Sequence, residues 1–253
     1  MERSWFFSLL LLFSIYNLAQ STVPPSSRFK EVNTGDFAEA LSEYSSDFRA
    51  LDLSVSIFQL CFYNTTPNAF TFAIRMGTRR SPAMRRFVWE ANRGNPVGED
   101  ATLTFGEDGN LILADADGRV AWQTNTANKG VVGLQMLTNG NMVLHDSKGN
   151  FIWQSFDYPT DTLLVGQPLR VGGVTRLVSR ASDKQNTNGA RTLLSRPKFN
   201  STMSFLRLGV DGNLRVFTFN DKLTSASWEV TFTLFSRDAR IWESECQLPQ
   251  KCG

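Results

Sequence analysis

The sequence predicts an all-β protein whose small sheets close around one another, and three observations predict it. Tryptophan-bearing segments recur as Val88-Trp89-Glu90-Ala91-Asn92, Ala121-Trp122-Gln123-Thr124-Asn125 and Ile152-Trp153-Gln154-Ser155-Phe156, with the indoles 33 and then 31 residues apart. Between them, Asp108-Gly109 and Asn139-Gly140 are hairpin signals, and Asp117-Gly118 and Lys148-Gly149 mark a second turn in each unit. The flanking apolar residues alternate, as in Leu103, Phe105, Leu111 and Leu113, and no helical period runs through the region. Turns every ~8–12 residues suit an all-β sandwich, barrel or prism. A sheet of three or four short strands cannot bury its apolar face alone. Three such sheets packed about one axis can, with the tryptophans turned inward.

Composition narrows the function classes. Of 253 residues, 42% are hydrophobic, and 26 Lys and Arg stand against 24 Asp and Glu. That balance lacks both the basic footprint of a nucleic-acid binder and the charge excess of a disordered chain. The chain has one histidine, His145, and three cysteines, Cys61, Cys246 and Cys252, so a histidine–zinc cluster is excluded by count and no metal is expected. No carboxylate pair, nucleophile elbow or phosphate loop is present, since the glycines lie in hairpin turns with no helix after them. The expectation is a protein that is not an enzyme and needs no cofactor.

In chain order, residues 1–21 read as a secretory signal peptide: Arg3, an apolar run from Trp5 to Tyr16, then Ala19-Gln20-Ser21. The run is too short for a span of ~20 residues and no other stretch is nearly long enough, so the mature chain is expected outside the cell without a membrane anchor. Residues 22–49 form a lead-in, with Thr22 to Ser27 expected to be mobile. Phe58–Tyr63 and Phe70–Ile74 read as a hairpin joined through the sequon at Asn64. Asn64 and Asn200 head Asn-X-Ser/Thr sequons and are glycan acceptors if they lie on a surface loop or edge. Arg75, Arg79, Arg80, Arg85 and Arg86 are expected on a solvated loop. Phe205 to Phe217 followed by Trp228 to Phe232 form one further hairpin-plus-tryptophan unit. Cys61, inside an apolar strand, is expected to be buried and free, and three thiols in a secreted chain leave one over.

The run from Val88 to Val97, the two Asx-Gly-Asn turns and the stretch from Ile152 to Leu164 resemble the bulb-type, mannose-binding lectin domain of plants. The last stretch is similar to the version in S-locus glycoproteins and S-domain receptor kinases. Together with Glu245 to Gly253, the resemblance extends to the epidermis-specific secreted glycoprotein family. It implies a β-prism of three four-stranded sheets with pseudo-threefold symmetry over residues 50–170, then a shortened second lectin-like unit over 171–245. Residues 246–253 look like the start of a cysteine-rich module, where Cys246 and Cys252 pair with each other or between chains. The implied role is a secreted glycoprotein of the cell wall that binds mannose-type glycans or wall polysaccharide weakly or not at all. The alternative is a module that contacts extracellular proteins, as in S-domain receptor ectodomains.

In the family, the mannose pocket is a Gln-x-Asp-x-Asn-x-Val-x-Tyr strip whose alternate residues face one way along a strand. Carried onto this chain, the first strip is Gly106, Asp108, Asn110, Ile112 and Ala114, and the second is Leu137, Asn139, Asn141, Val143 and His145. A third copy at Gly209, Asp211, Asn213, Arg215 and Phe217 keeps only the Asp and Asn. No strip is intact. The second keeps the most, with Asn139, Asn141 and His145 around the apolar Val143; the other reading is that the asparagines bond local backbone as ordinary turn residues.

Overall fold

The computed structural model describes residues 22–38, 43, 46–78, 84–169, 172–174, 176–180, 203–220 and 227–235. Residues 1–21, expected to be a signal peptide, and Arg79, Arg80, Asn200, Cys246 and Cys252 lie outside the described residues.

Alternating apolar residues and Asx-Gly turns produce short antiparallel strands, fifteen of them in four sheets among the described residues. Strands β2 (Asp47–Val55), β3 (Phe58–Thr66), β4 (Ala69–Met76) and β5 (Arg86–Glu90) form one sheet in sequence order. Strands β6 (Thr102–Phe105), β7 (Leu111–Ala114) and β8 (Val120–Gln123) form the next, completed by the N-terminal strand β1 (Phe29–Val32) along β6. The third contains β9 (Gly133–Met136), β10 (Met142–His145) and β11 (Phe151–Gln154). It has three strands among the described residues where the resemblance implied four. In the fourth, β12 (Thr162–Leu164), β13 (Ser204–Leu208), β14 (Leu214–Asn220) and β15 (Ser227–Thr233) lie in order. Among the described residues β12 thus pairs with β13 and with no strand before it.

The last strand of each of the first three sheets carries one tryptophan, and the three indoles meet. Trp89 and Trp122 are 5.8 Å apart between ring centroids, Trp89 and Trp153 6.0 Å, and Trp122 and Trp153 5.8 Å, with interplanar angles of 74°, 75° and 74°. Edge-to-face contact sets the positive rim of one ring against the negative face of the next, which suits a closed ring of three. Around them one core unites all four sheets, from Phe62, Phe72 and Ile74 through Leu103, Leu113 and Leu144 to Leu164 and Phe205. Gly140, at φ +87°, turns the chain where a Cβ would lie 2.5 Å from Phe58 and 2.7 Å from Leu164.

Tertiary packing corrects four expectations. The segment after Ser21 is anchored: Val23 is 0% exposed in the main core, its N–H donates to the Glu107 carbonyl at 3.1 Å, and Arg28 binds the Val23 carbonyl. Asn64 is a strand residue and not a loop residue, 7% exposed and paired with Asp47 on one side and Phe70 on the other. The turn of that hairpin falls instead after Thr66, with Asn68 at φ +54°. Arg75 and Arg85 are buried and not solvated, both guanidiniums bonding to Oε1 of Gln59 while Arg75 stacks 3.8 Å from the Phe48 ring centroid.

Cys61 is buried and free, as expected, within the cluster of Phe48, Tyr63, Ala73 and Phe87 on the outer face of the first sheet. Burial pushes its thiol up to about 12, opposed by the positive charges of Arg75 and Arg85. An unfolded cysteine ionises near 9.0 while Cys61 in the fold stays neutral to about 12, so the fold is unaffected below about 9 and loses stability progressively as pH rises between those values. Iodoacetamide at pH 8.5 is expected to leave Cys61 unlabelled in the native protein and to label it within minutes in denaturant, as read by peptide mass mapping. Equal labelling rates in the two states would refute this placement.

Candidate functional site

Each candidate strip begins in an Asx turn that the sequence encodes. Oδ1 of Asp108 accepts the Asn110 N–H at 3.0 Å, Oδ1 of Asn139 that of Asn141 at 3.1 Å, and Oδ1 of Asp211 that of Asn213 at 3.2 Å. The turn residue two positions back thus holds each asparagine's backbone, as short polar side chains do in such turns.

The asparagine side chains point inward. Nδ2 of Asn110 donates to Gln123 at 2.8 Å, while its Oδ1 accepts the Thr124 hydroxyl at 3.0 Å and the Thr126 N–H at 3.1 Å. Nδ2 of Asn141 donates to Gln154 at 2.8 Å, and its Oδ1 accepts Ser155 at 3.3 Å and the Phe156 N–H at 3.2 Å. Asn213 bonds the Phe235 backbone through both its amide atoms, at 2.9 and 3.1 Å. All three asparagines are buried, and each ties its hairpin turn to the chain leaving the tryptophan strand. A sequence signal for this was present: Trp-Gln followed by Thr or Ser recurs at 122–124 and 153–155, thirteen residues from asparagine to glutamine both times.

The remaining strip residues are brought together only in part. Val143, which the family pocket would place against a sugar ring, is 0% exposed, whereas Ile112 is half-buried. His145 is half-buried at the end of β10 with Nδ1 3.0 Å from the Asp146 carbonyl; a carbonyl only accepts, so Nδ1 carries the proton. Its ring lies across Gly133 of β9, where a Cβ would come within 2.7 Å of Nε2. In the third strip, Arg215 is ion-paired with Asp211, whose carboxyl the Arg215 guanidinium holds below the usual range.

A second constellation, which sequence reasoning missed, joins β5 to the segment after β11. The buried Glu90 carboxylate accepts the Tyr63 hydroxyl at 2.7 Å and is gripped by Arg93 and Arg180. Arg180 also donates to the Tyr63 oxygen, and Arg93 reaches Asp161 at 3.1 Å and the Val178 carbonyl at 2.6 Å. Arg207 of β13 bonds Thr162, Glu43 and the Phe87 carbonyl. Burial raises the Tyr63 phenol above its ordinary value, which keeps it a protonated donor. Glu90 occupies the register of Gln123 and Gln154 in the other two repeats, one residue after the tryptophan. A carboxylate there requires cations.

Residues 86–184, which contain the tryptophan-bearing strands β5, β8 and β11, match the family model described as D-mannose binding lectin. The chain is 45% identical to the epidermis-specific secreted glycoprotein EP1 of Daucus carota, covering 96% of this chain and 84% of the relative. It is 44% identical to EP1-like glycoprotein 4 of Arabidopsis thaliana, covering 100% and 72%. The chain belongs to this family of secreted EP1-type glycoproteins. The alignment with the Daucus protein runs over 328 positions, more than this chain's 253 residues, so that relative carries internal segments absent here. Over 148 residues the chain is also 40% identical to the putative receptor protein kinase ZmPK1 of Zea mays, covering 57% of this chain and 18% of the relative.

Proposed function

We propose that this protein is a non-catalytic, lectin-like glycoprotein of the plant cell wall whose mannose-type binding at the family strips is weak or lost. The observation that carries the reading is the state of Asn110 and Asn141: both amides are buried and bonded to the protein's own turns. A sugar hydroxyl at these positions would have to displace those bonds, each worth ~0.5–1.5 kcal/mol net, to gain bonds of the same kind. The loss of the strip glutamine to Gly106 and Leu137, and the burial of Val143, remove two further contacts. The near-equal geometry of Trp89, Trp122 and Trp153 supports a β-prism with pseudo-threefold symmetry over residues 50–170.

Calorimetric titration with mannose tests this. The expected result is no saturable heat at millimolar sugar. Asn141→Ala is expected to lower unfolding free energy by about 1–3 kcal/mol, because it leaves the Phe156 N–H and Gln154 without their partner. Tight mannose binding that Asn141→Ala abolishes, with unfolding unchanged, would overturn the reading.

The kinship with a receptor protein kinase supports a second reading, in which exposed sheet faces contact extracellular proteins. Capture of a wall protein that excess mannose does not release would favour it.

A further inference from the structure

We propose that Asn64 is a glycan acceptor only before the first sheet closes, so that occupancy of its sequon records how fast this sheet folds. The sequon Asn64-Thr65-Thr66 ends β3, where strand alternation puts Asn64 on the same face as Leu60 and Phe62 and opposite to Cys61 and Tyr63. Leu60 and Phe62 belong to the main core, and so does Phe70, the residue directly across from Asn64 on β4. The lead-in covers that position. The Phe37 ring stacks on Phe70 with centroids 6.1 Å apart, and the Arg49 guanidinium lies 4.4 Å from the Phe37 centroid and 4.9 Å from that of Phe70. Asn64 itself keeps only 7% exposure. An N-linked glycan is bulky and hydrated and needs a surface amide, so one on Asn64 bars Phe37 and Arg49 from Phe70.

Transfer and folding therefore compete. In the transfer, Nδ2 of Asn64 attacks the anomeric carbon of a lipid-diphosphate oligosaccharide. The new C–N bond replaces the sugar–phosphate C–O bond, the lipid diphosphate leaves with that electron pair, and the nitrogen gives up one proton. The reaction needs a pliable sequon, which pairing of β3 with β2 and β4 removes. At ~5–20 residues per second, β4 and β5 follow Asn64 out of the ribosome within about 1–5 s. A hairpin then forms in about 1–10 μs. Its turn after Thr66 holds Asn68 at φ +54°, a conformation that asparagine tolerates and a β-branched residue does not. The window for transfer is short in the natural chain and lengthens when that turn is disfavoured.

Two variants of the full chain, secreted from plant cells, test the proposal. Asn68→Val sets a β-branched residue at the positive φ of the turn, and Thr66→Ala removes the sequon while leaving Asn64 in place. Glycopeptide mass spectrometry after enzymatic deglycosylation in heavy-oxygen water reads Asn64 occupancy on cells and medium together, so a variant that fails to fold still answers. The natural chain is expected to carry Asn64 mostly unmodified, and Asn68→Val to raise its occupancy about threefold or more. Natural chains that do carry the glycan should be digested under limited proteolysis that leaves Thr66→Ala intact. Equal occupancy in the natural chain and Asn68→Val, whether nil or high, would overturn the proposal. So would secretion of the natural chain mostly glycosylated at Asn64, or a glycosylated form as protease-resistant as Thr66→Ala.

Discussion

Trp89→Ala is expected to destabilise the protein by about 3–5 kcal/mol, the cost of deleting a fully packed aromatic side chain and leaving its cavity. Trp89 is the most constrained of the three indoles. It meets the edges or faces of Trp122, Trp153 and Phe72, and its Nε1–H donates to the Tyr158 carbonyl at 2.9 Å. Deletion therefore removes ring contacts with both other tryptophan-bearing sheets and strands the carbonyl of Tyr158, whose ring stacks on Trp153 at 5.5 Å. Trp122→Ala should cost less, because Trp122 is only half-buried and its indole N–H has no partner among the described residues. Denaturant unfolding of the purified variants, followed by far-UV dichroism, gives both numbers. A Trp89→Ala loss below about 1 kcal/mol, or one smaller than that of Trp122→Ala, would mean that closure of the sheets does not depend on the triad.

The contrast with Trp122 also shows what the sequence could and could not convey. Spacing placed the three indoles together because each comes from the same position of a local repeat, after a turn whose residue types encode it. Strand pairing followed for the same reason, as in the registers Leu103 with Leu113 and Leu134 with Leu144. The misses lie where distant chain segments decide burial. Nothing near Val23 in sequence says that it fills the core beside Glu107, and Arg75 and Arg85 read as solvated until Phe48 and Gln59 are placed on them. In the strips, the sequence singled out Asn110 and Asn141 as polar residues of the Asx-Gly-Asn turns. It left open which way their amides turn, and that depends on Thr124, Thr126, Ser155 and Phe156 arriving from the next strand.

Glu90→Ala is expected to cost about 3–5 kcal/mol by a different mechanism, the stranding of two half-buried cations around a buried site. With the carboxylate gone, Arg93 and Arg180 retain Asp161 as their shared anion, at 3.1 and 3.8 Å, and the Tyr63 hydroxyl loses its acceptor. Because Arg180 and Val178 belong to the segment preceding β13, while Tyr63 and Glu90 belong to β3 and β5, the loss falls on the joint between the first sheets and the fourth. Glu90→Gln distinguishes charge from shape. Glutamine is the residue that Gln123 and Gln154 present in the equivalent positions, so it fits the strand, yet it removes the negative charge that two guanidiniums face. If charge dominates, Glu90→Gln should destabilise nearly as much as Glu90→Ala, and Glu90→Gln combined with Arg180→Met should recover much of the loss, since the stranded cation is removed with its partner. A double-mutant cycle measured by denaturant unfolding reads that coupling directly. Additive losses, with no recovery in the double variant, would show that the two residues stabilise the joint independently and not as an ion pair.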